Sequence, residues 1–213
     1  MTTPPLESKK TFDVAELDPV SSYKLGTGLT VPRPIGWIGT ISEHGIRNLA
    51  PYSFFNIVAM HPPTFVIAPV TLGRKDTLTN IEKTGVFTVN IVTEETVEAM
   101  NATSATVEAD VDEFEHAGLT AVQAETSDAP MVGEAVANFE CAMTEMIPVG
   151  TATEDQAGLG MLIIGEASRI HIAERVLSED LHIDQRELRA VGRHVGNDYS
   201  RTADSLFDID RPE

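Results

Sequence analysis

One cysteine, one tryptophan and five lysines are all that 213 residues contain of these types. Cys141 has no second cysteine for an internal disulfide, which points to a reducing compartment and excludes the disulfide scaffolds of small secreted domains. Its place in the apolar run from Ala137 to Met143 marks it as a core residue rather than a nucleophile. Metal-ligand spacing is missing as well: the six His are scattered and no HExxH occurs. Neither a GxxxxGK phosphate loop nor a GxGxxG dinucleotide fingerprint is present. No run of about 18 apolar residues exists, so no transmembrane helix is expected. The opening MTTPPLESKK lacks the apolar stretch of an export signal, and a soluble, cytoplasmic protein is the expectation.

Cations are the other scarcity. Fifteen Lys and Arg stand against 33 Asp and Glu, a net charge of −18. Such a chain repels phosphate backbones and anionic bilayers, which excludes nucleic acid and membrane surfaces as partners. The excess acid gives a well-hydrated surface and also suits a high-salt habitat, where screening removes the self-repulsion.

What is present is a core. Hydrophobic residues make up 42% of the chain, and its length fits a single domain. Residues 1–20 are polar and Pro-containing and read as an N-terminal arm; 21–213 form the domain. From Val31 to Val70, short apolar stretches alternate with Pro, Gly and Asn. Ile35 to Ile41, Arg47 to Ala50, Ser53 to Ala59 and Thr64 to Val70 are candidate strands, with a turn at Glu43-His44-Gly45. Asp76 to Thr84 reads as a short helix capped by Asp76 and ended near Gly85. Val86 to Val92 returns to strand. Glu94 to Ala102 and Val111 to Ala117 read as helices with acids in their first turns. Leu119 to Ala124, Ala135 to Met146 and Met161 to Ile172 are further strands, followed by a brief helix from Gln185 to Ala190 and a Gly-rich turn. The expected fold is mainly β with short inserted helices, as an antiparallel barrel or sandwich.

Three constellations could carry chemistry. In Asn48-Leu49-Ala50-Pro51-Tyr52-Ser53-Phe54-Phe55-Asn56, polar Asn48, Ser53 and Asn56 stand among aromatics and a Pro. That mixture suits a flat heteroaromatic ligand, with faces to pack and edges to bind; the alternative is a turn with capping hydroxyls. In Gly73-Arg74-Lys75-Asp76-Thr77, two cations precede a helix start, where exposed N–H groups and the helix dipole favour an anion. The alternative there is a solvated loop before a capped helix. Near the C-terminus, Val191-Gly192-Arg193-His194-Val195-Gly196-Asn197-Asp198-Tyr199 sets a cation, an imidazole and a phenol in a Gly-flanked loop. A purely structural tail would explain those residues equally.

The ordered set of motifs resembles the flavin reductase-like family with its FMN-binding split barrel. It comprises Arg33-Pro34-Ile35-Gly36-Trp37-Ile38-Gly39-Thr40, the Asn48 to Asn56 segment, Pro62-Pro63, the run from Lys75 to Ile81, Asp112 to Thr120, Phe139-Glu140-Cys141 and the closing Gly192 to Tyr199 stretch. The resemblance spans roughly residues 20 to 210, toward the branch of flavoredoxin and proteins associated with flavoprotein oxygenases. It implies a homodimer with one FMN per subunit (FAD being the less favoured flavin) near the interface. By position, Gly39 and Thr40 would lie beside the isoalloxazine, Trp37 would wall the pocket, and Asn48, Ala50, Pro51 and Tyr52 would meet the ring edge. Ser53 would reach toward the ribityl phosphate, with Arg74, Lys75 and Thr77 on the phosphate itself. Arg193, His194 and Tyr199 would border the flavin, His194 as a candidate proton donor or nicotinamide contact. The implied activity is hydride transfer from NADH or NADPH to flavin, serving a flavin-dependent monooxygenase or other redox partner; the alternative is a non-enzymatic FMN electron carrier.

Overall fold

A computed structural model describes residues 7–70, 74–150 and 160–212. Seven strands form one antiparallel sheet: β1 (Gly36–Ile41), β2 (Arg47–Tyr52), β3 (Phe55–Met60), β4 (Pro63–Ile67), β5 (Val86–Ile91), β8 (Ala137–Pro148) and β9 (Met161–Ile172). Their order is β2-β1-β5-β8-β9-β4-β3. The two edge strands, β2 and β3, are consecutive in the chain and joined only by Ser53 and Phe54. The sheet therefore curls until its edges meet at that link, leaving a seam that no strand pairing closes. Gly36 shows how near the two sides come: a Cβ there would lie 2.5 Å from the Phe55 ring.

Alternation sorts the side chains of β1 and β2 onto two faces. Ile38 and Tyr52 join Phe65, Ile67, Leu78, Ile81, Phe87, Val89, Cys141 and Ile163 inside the curl. Trp37 and Leu49 point the other way, into a second core with Ile35, Val92, Met100, Phe114, Val132 and Val191. That outer core is covered by α3 (Val97–Ala102), α4 (Glu113–His116), the β6–β7 pair (Ala121–Gln123, Pro130–Val132) and the hairpin β10–β11 (Val191–Arg193, Tyr199–Arg201). Cys141 is buried inside the curl, and burial pushes its thiol up to about 12, so it stays a neutral core residue.

Several expected elements shift when packed. Residues 1–6 of the expected arm lie outside the described residues, and the arm ends early: Asp18 caps α1 (Pro19–Leu29) by accepting from Val20 N and Ser21 N at 2.9 and 3.0 Å. Its Gly26 and Gly28 hid this helix from sequence patterning. The Gly-rich turn at the C-terminus is instead the β10–β11 hairpin. It is fastened by Glu94, which takes Arg189 Nη2 at 2.8 Å and Arg201 Nε at 2.9 Å. The short strand β7, absent from the sequence reading, packs its backbone on Gly39, where an added Cβ would stand 2.2 Å from the Pro130 carbonyl oxygen. Among the described residues no helix is long and apolar enough to cross a membrane.

Candidate functional site

The seam opens into a cavity of about 430 Å³, within the range of roughly 300–1,000 Å³ usual for small-molecule sites. Ala50 to Phe54 form one wall, Ala68 and Val70 a second, and residues 103–107 a third. Tyr23 of α1 leans over the mouth against Phe54, with ring centroids 6.4 Å apart. Aromatic and aliphatic groups share these walls with the hydroxyls of Ser53, Thr103, Ser104 and Thr106, and the charged groups gather at one end.

That end is built by α2 (Asp76–Thr84). Lys75 occupies the position before the helix in extended conformation, with no side-chain cap, and Gly85 ends the helix at φ 73°. Asp76 is thus the first helical residue and not the expected cap. Thr77, buried, faces the cavity and ties two strand residues to the helix: Tyr52 Oη donates to its Oγ1 at 2.9 Å, and the Asn48 amide lies 3.1 Å from it. Burial takes the Tyr52 phenol up to about 12. Lys75 and Arg74 border the same end. The Arg74 guanidinium is bound to Glu82, about two turns along α2, and donates to Thr79 Oγ1 at 3.1 Å. Among the described residues Lys75 has no ion-pair partner, which leaves its ammonium as the cation available to a ligand. Gly73, part of the expected anion motif, lies outside the described residues.

The structure brings Asn48, Ala50, Pro51, Tyr52, Ser53, Arg74, Lys75 and Thr77 together around this cavity. It places others elsewhere. Trp37 is fully buried on the outer face, where its indole N–H donates to Thr103 Oγ1 at 2.9 Å, so it does not wall the pocket. Gly39 backs onto β7 on that same face. Thr40 sits behind the wall, hydrogen-bonded to Asn48 and to Asn80 Nδ2 at 3.1 Å. Tyr52 sends its ring into the core, so the exposed aromatic pair is Tyr23 and Phe54; Phe55 stacks on Phe65 at 5.5 Å, and the Asn56 carbonyl accepts from Ile57 N outside the slot.

Arg193 and Tyr199 form a separate groove of about 410 Å³ with Glu98, Asn101 and Asn197. The guanidinium lies 4.5 Å over the Tyr199 ring and donates to the Gly196 carbonyl. A smaller cavity of about 170 Å³ lies between them, sharing Ser53 and Ser104 with the main cavity and Arg193 and Tyr199 with the groove. His194 lines neither; its Nε2 is buried without a partner among the described residues, and its backbone is held by Arg33 and Asp198.

Two residues escaped sequence reading. Arg33, buried, donates to the carbonyls of Thr27, Thr30 and His194 and to Ser53 Oγ, and so fixes α1, the hairpin and the cavity rim together. Glu113 borders the α2 end of the cavity, only 7% exposed, accepting from Leu49 N at 3.2 Å. Burial raises its pKa, the N–H groups of its own residue and Leu49 lower it, and the charges of Asp76 and Asp112 raise it again, leaving it at about 7. In sequence it was one acid among the first-turn acids of a short helix. No cluster able to hold a metal ion occurs among the described residues.

An antiparallel sheet curled to an open seam, with an aromatic slot ending in a lysine and a helix N-terminus, is the architecture of flavin-handling split barrels. The chain belongs to the flavin reductase-like family: the family's model, described as flavin reductase like domain, matches residues 28–192. An uncharacterized protein of Aquifex aeolicus is 40% identical over 191 residues, covering 88% of this chain and 93% of its own. Nitrilotriacetate monooxygenase component B from Bacillus cereus superposes with a TM-score of 0.90 at 33% identity, covering 96% of this chain and all of the other. A split-barrel protein from Shewanella frigidimarina shares the fold with a TM-score of 0.80 at 23% identity, over 96% of this chain and 100% of its own.

Proposed function

We propose that the protein binds FMN in the seam cavity and catalyses hydride transfer to it from NADH or NADPH. The observation that carries this reading is the layout of the cavity: Tyr23, Phe54, Ala68 and Val70 share its walls with the hydroxyls of Ser53, Ser104 and Thr106, and Lys75, Thr77 and the start of α2 stand at one end. A flavin mononucleotide has that same layout, a planar ring joined through a ribityl chain to a phosphate. One anion end favours FMN over FAD, whose second phosphate and adenosine need further room.

When bound, the flavin supplies the two-electron chemistry: it accepts a hydride from the nicotinamide with a proton from solvent. The chain's own residues bind and orient. Lys75 and the Thr77 hydroxyl give charge-assisted hydrogen bonds to the phosphate. The backbone of Ala50 to Ser53 borders the ring edge, and Tyr23 with Phe54 covers the slot against water. The Arg193–Tyr199 groove, near the slot, takes the nicotinamide nucleotide, with Arg193 toward its phosphates and Tyr199 toward a ring. The likeness to a monooxygenase component B supports a flavin-dependent oxygenase as the consumer of reduced flavin. Exposed Val58 and Met60 on β3 and Ile170 on β9 support a homodimer, which sedimentation velocity tests.

Anaerobic titration of the FMN-loaded protein with each nicotinamide tests the activity. Bleaching of the flavin absorbance by one equivalent of NADH or NADPH is the expected result. A yellow protein bleached by neither overturns the hydride-transfer reading and leaves an electron carrier.

A further inference from the structure

Among the described residues Glu113 is the one buried carboxyl bordering the proposed FMN phosphate end, and its surroundings give it two hydrogen-bond states. Its Oε1 lies 3.2 Å from the Asn48 amide, which in turn lies 3.1 Å from both Thr77 Oγ1 and Thr40 Oγ1. With an ionised Glu113, the Asn48 nitrogen donates to the carboxylate, and the Asn48 oxygen accepts from the Thr77 hydroxyl. That hydroxyl proton is then spent inside the wall. With a neutral Glu113, the carboxyl O–H donates to the Asn48 oxygen and the amide reverses. Its nitrogen now donates to Thr77 Oγ1, and the Thr77 proton is released toward the cavity. The chain Glu113–Asn48–Thr77 thus converts one proton on the carboxyl into one extra donor facing the ligand.

The acids around Glu113 act in the same direction, with cations interspersed among them. From α2 come Asp76, which borders the same cavity, and Lys75; from α4 itself come Asp112, Glu115 and His116. From β2 comes Arg47, whose guanidinium is taken up by Asp112 at 2.5 Å and Glu115 at 3.2 Å. On the side away from the ligand, Glu113, Asn48 and Asp76 also border a second cavity of about 330 Å³, where Glu43, His44, Lys83 and Asp110 stand. A phosphate dianion entering beside Asp76 and an ionised Glu113 meets two carboxylates and one ammonium. Protonating Glu113 removes one repulsion and adds one donor.

We propose, resting on the FMN reading, that Glu113 is a positioning residue that makes phosphate recognition proton-linked: it takes up a proton as the phosphomonoester enters and gives it back as the ligand leaves. Flavins without the phosphate bind without this proton, so Glu113 sets the preference for phosphorylated flavin and weakens retention as pH rises.

Calorimetric titration with FMN and with riboflavin, each in two buffers of different ionisation enthalpy, tests this. The FMN phosphate is already a dianion above about pH 7, since its second pKa is roughly 6, so it contributes no proton of its own. For a group titrating near pH 7, uptake approaches one proton per FMN at pH 8, and the FMN Kd weakens about fivefold from pH 7 to 8. Riboflavin shows neither effect. Glu113→Gln, permanently neutral, gives a flat FMN profile without uptake. A second readout needs no variant: the infrared difference between FMN-bound and free wild type at pH 8 gains the carbonyl band of a protonated carboxyl. FMN binding with no proton uptake, or a pH profile unchanged in Glu113→Gln, overturns the proposal while leaving the flavin reading intact. Failure of both flavins to bind overturns the two together.

Discussion

Two buried carboxyls, Glu113 and Glu140, sit in opposite electrostatic situations. Glu140 on β8 is about 1% exposed, and its carboxylate collects Glu125 N at 2.9 Å, Thr126 N at 2.7 Å, the Thr126 hydroxyl at 2.5 Å and His171 Nε2 at 2.7 Å. Burial raises its pKa, yet those four hydrogen bonds outweigh burial and bring it down to about 2. Glu113 receives Leu49 N and one amide and faces two other acids, which leaves it at about 7. Burial alone decides neither case; the number of donors aimed at the carboxyl does. Donors enough to hold the charge permanently make Glu140 a clamp on the loop after β6. Too few, beside a ligand cavity, make Glu113 a group that can change state.

The largest effect belongs to the clamp. Glu140→Ala strands the donors of Thr126, Glu125 and His171 and costs roughly 3 kcal/mol in urea unfolding at pH 7. Flavin affinity stays unchanged, because Glu140 borders no part of the cavity. The wild-type contribution of Glu140 is present above its unfolded pKa near 4.5 and fades as pH falls toward 2. Glu113 runs the other way. Its folded pKa lies above its unfolded value, so its favourable contribution is complete below about 4.5 and is lost as pH rises through 7. Glu113→Gln should therefore stabilise the flavin-free protein by roughly 2 kcal/mol at pH 8 and by little at pH 5. Equal effects at both pH values break the comparison.

Lys75→Ala should weaken FMN binding about tenfold and leave riboflavin unaffected, through loss of one charge-assisted contact. Equal losses for both ligands would remove the phosphate from that end of the cavity. The smallest expected effect is at the far groove. Arg193→Ala should raise the KM for the nicotinamide donor about threefold, with the FMN Kd unchanged, since the half-buried guanidinium gives up only a modest contact.

Much of the barrel was legible from alternation. The strand bounds of Met161–Ile172 follow directly from its apolar pattern, and the helix Asp76–Thr84 from Leu78, Ile81 and the closing Gly85. The Arg74-Lys75 pair at the cavity's α2 end was legible because two cations before a helix stand out in a chain so poor in them. What local pattern could not show was set by distant packing. Trp37 and Gly39 share β1 with Ile38 and Thr40, and only the covering of the outer face by α3 and β7 puts them on the side away from the cavity. Arg74 looked equal to Lys75, but Glu82, about two turns along α2, holds it. Nothing in the sequence set Glu113 apart from the other acids of the Asp112 to Thr120 motif, because its neighbours Asn48, Thr77 and Asp76 arrive from β2 and α2.

The most direct measurement is the affinity of the wild-type protein for FMN and for riboflavin at pH 7, read from quenching of flavin fluorescence. A slot gripping its ligand through Lys75 and Thr77 binds FMN at least tenfold more tightly than riboflavin, as one charge-assisted contact requires. Equal affinities, or no quenching by either, would contradict a phosphorylated flavin in this cavity.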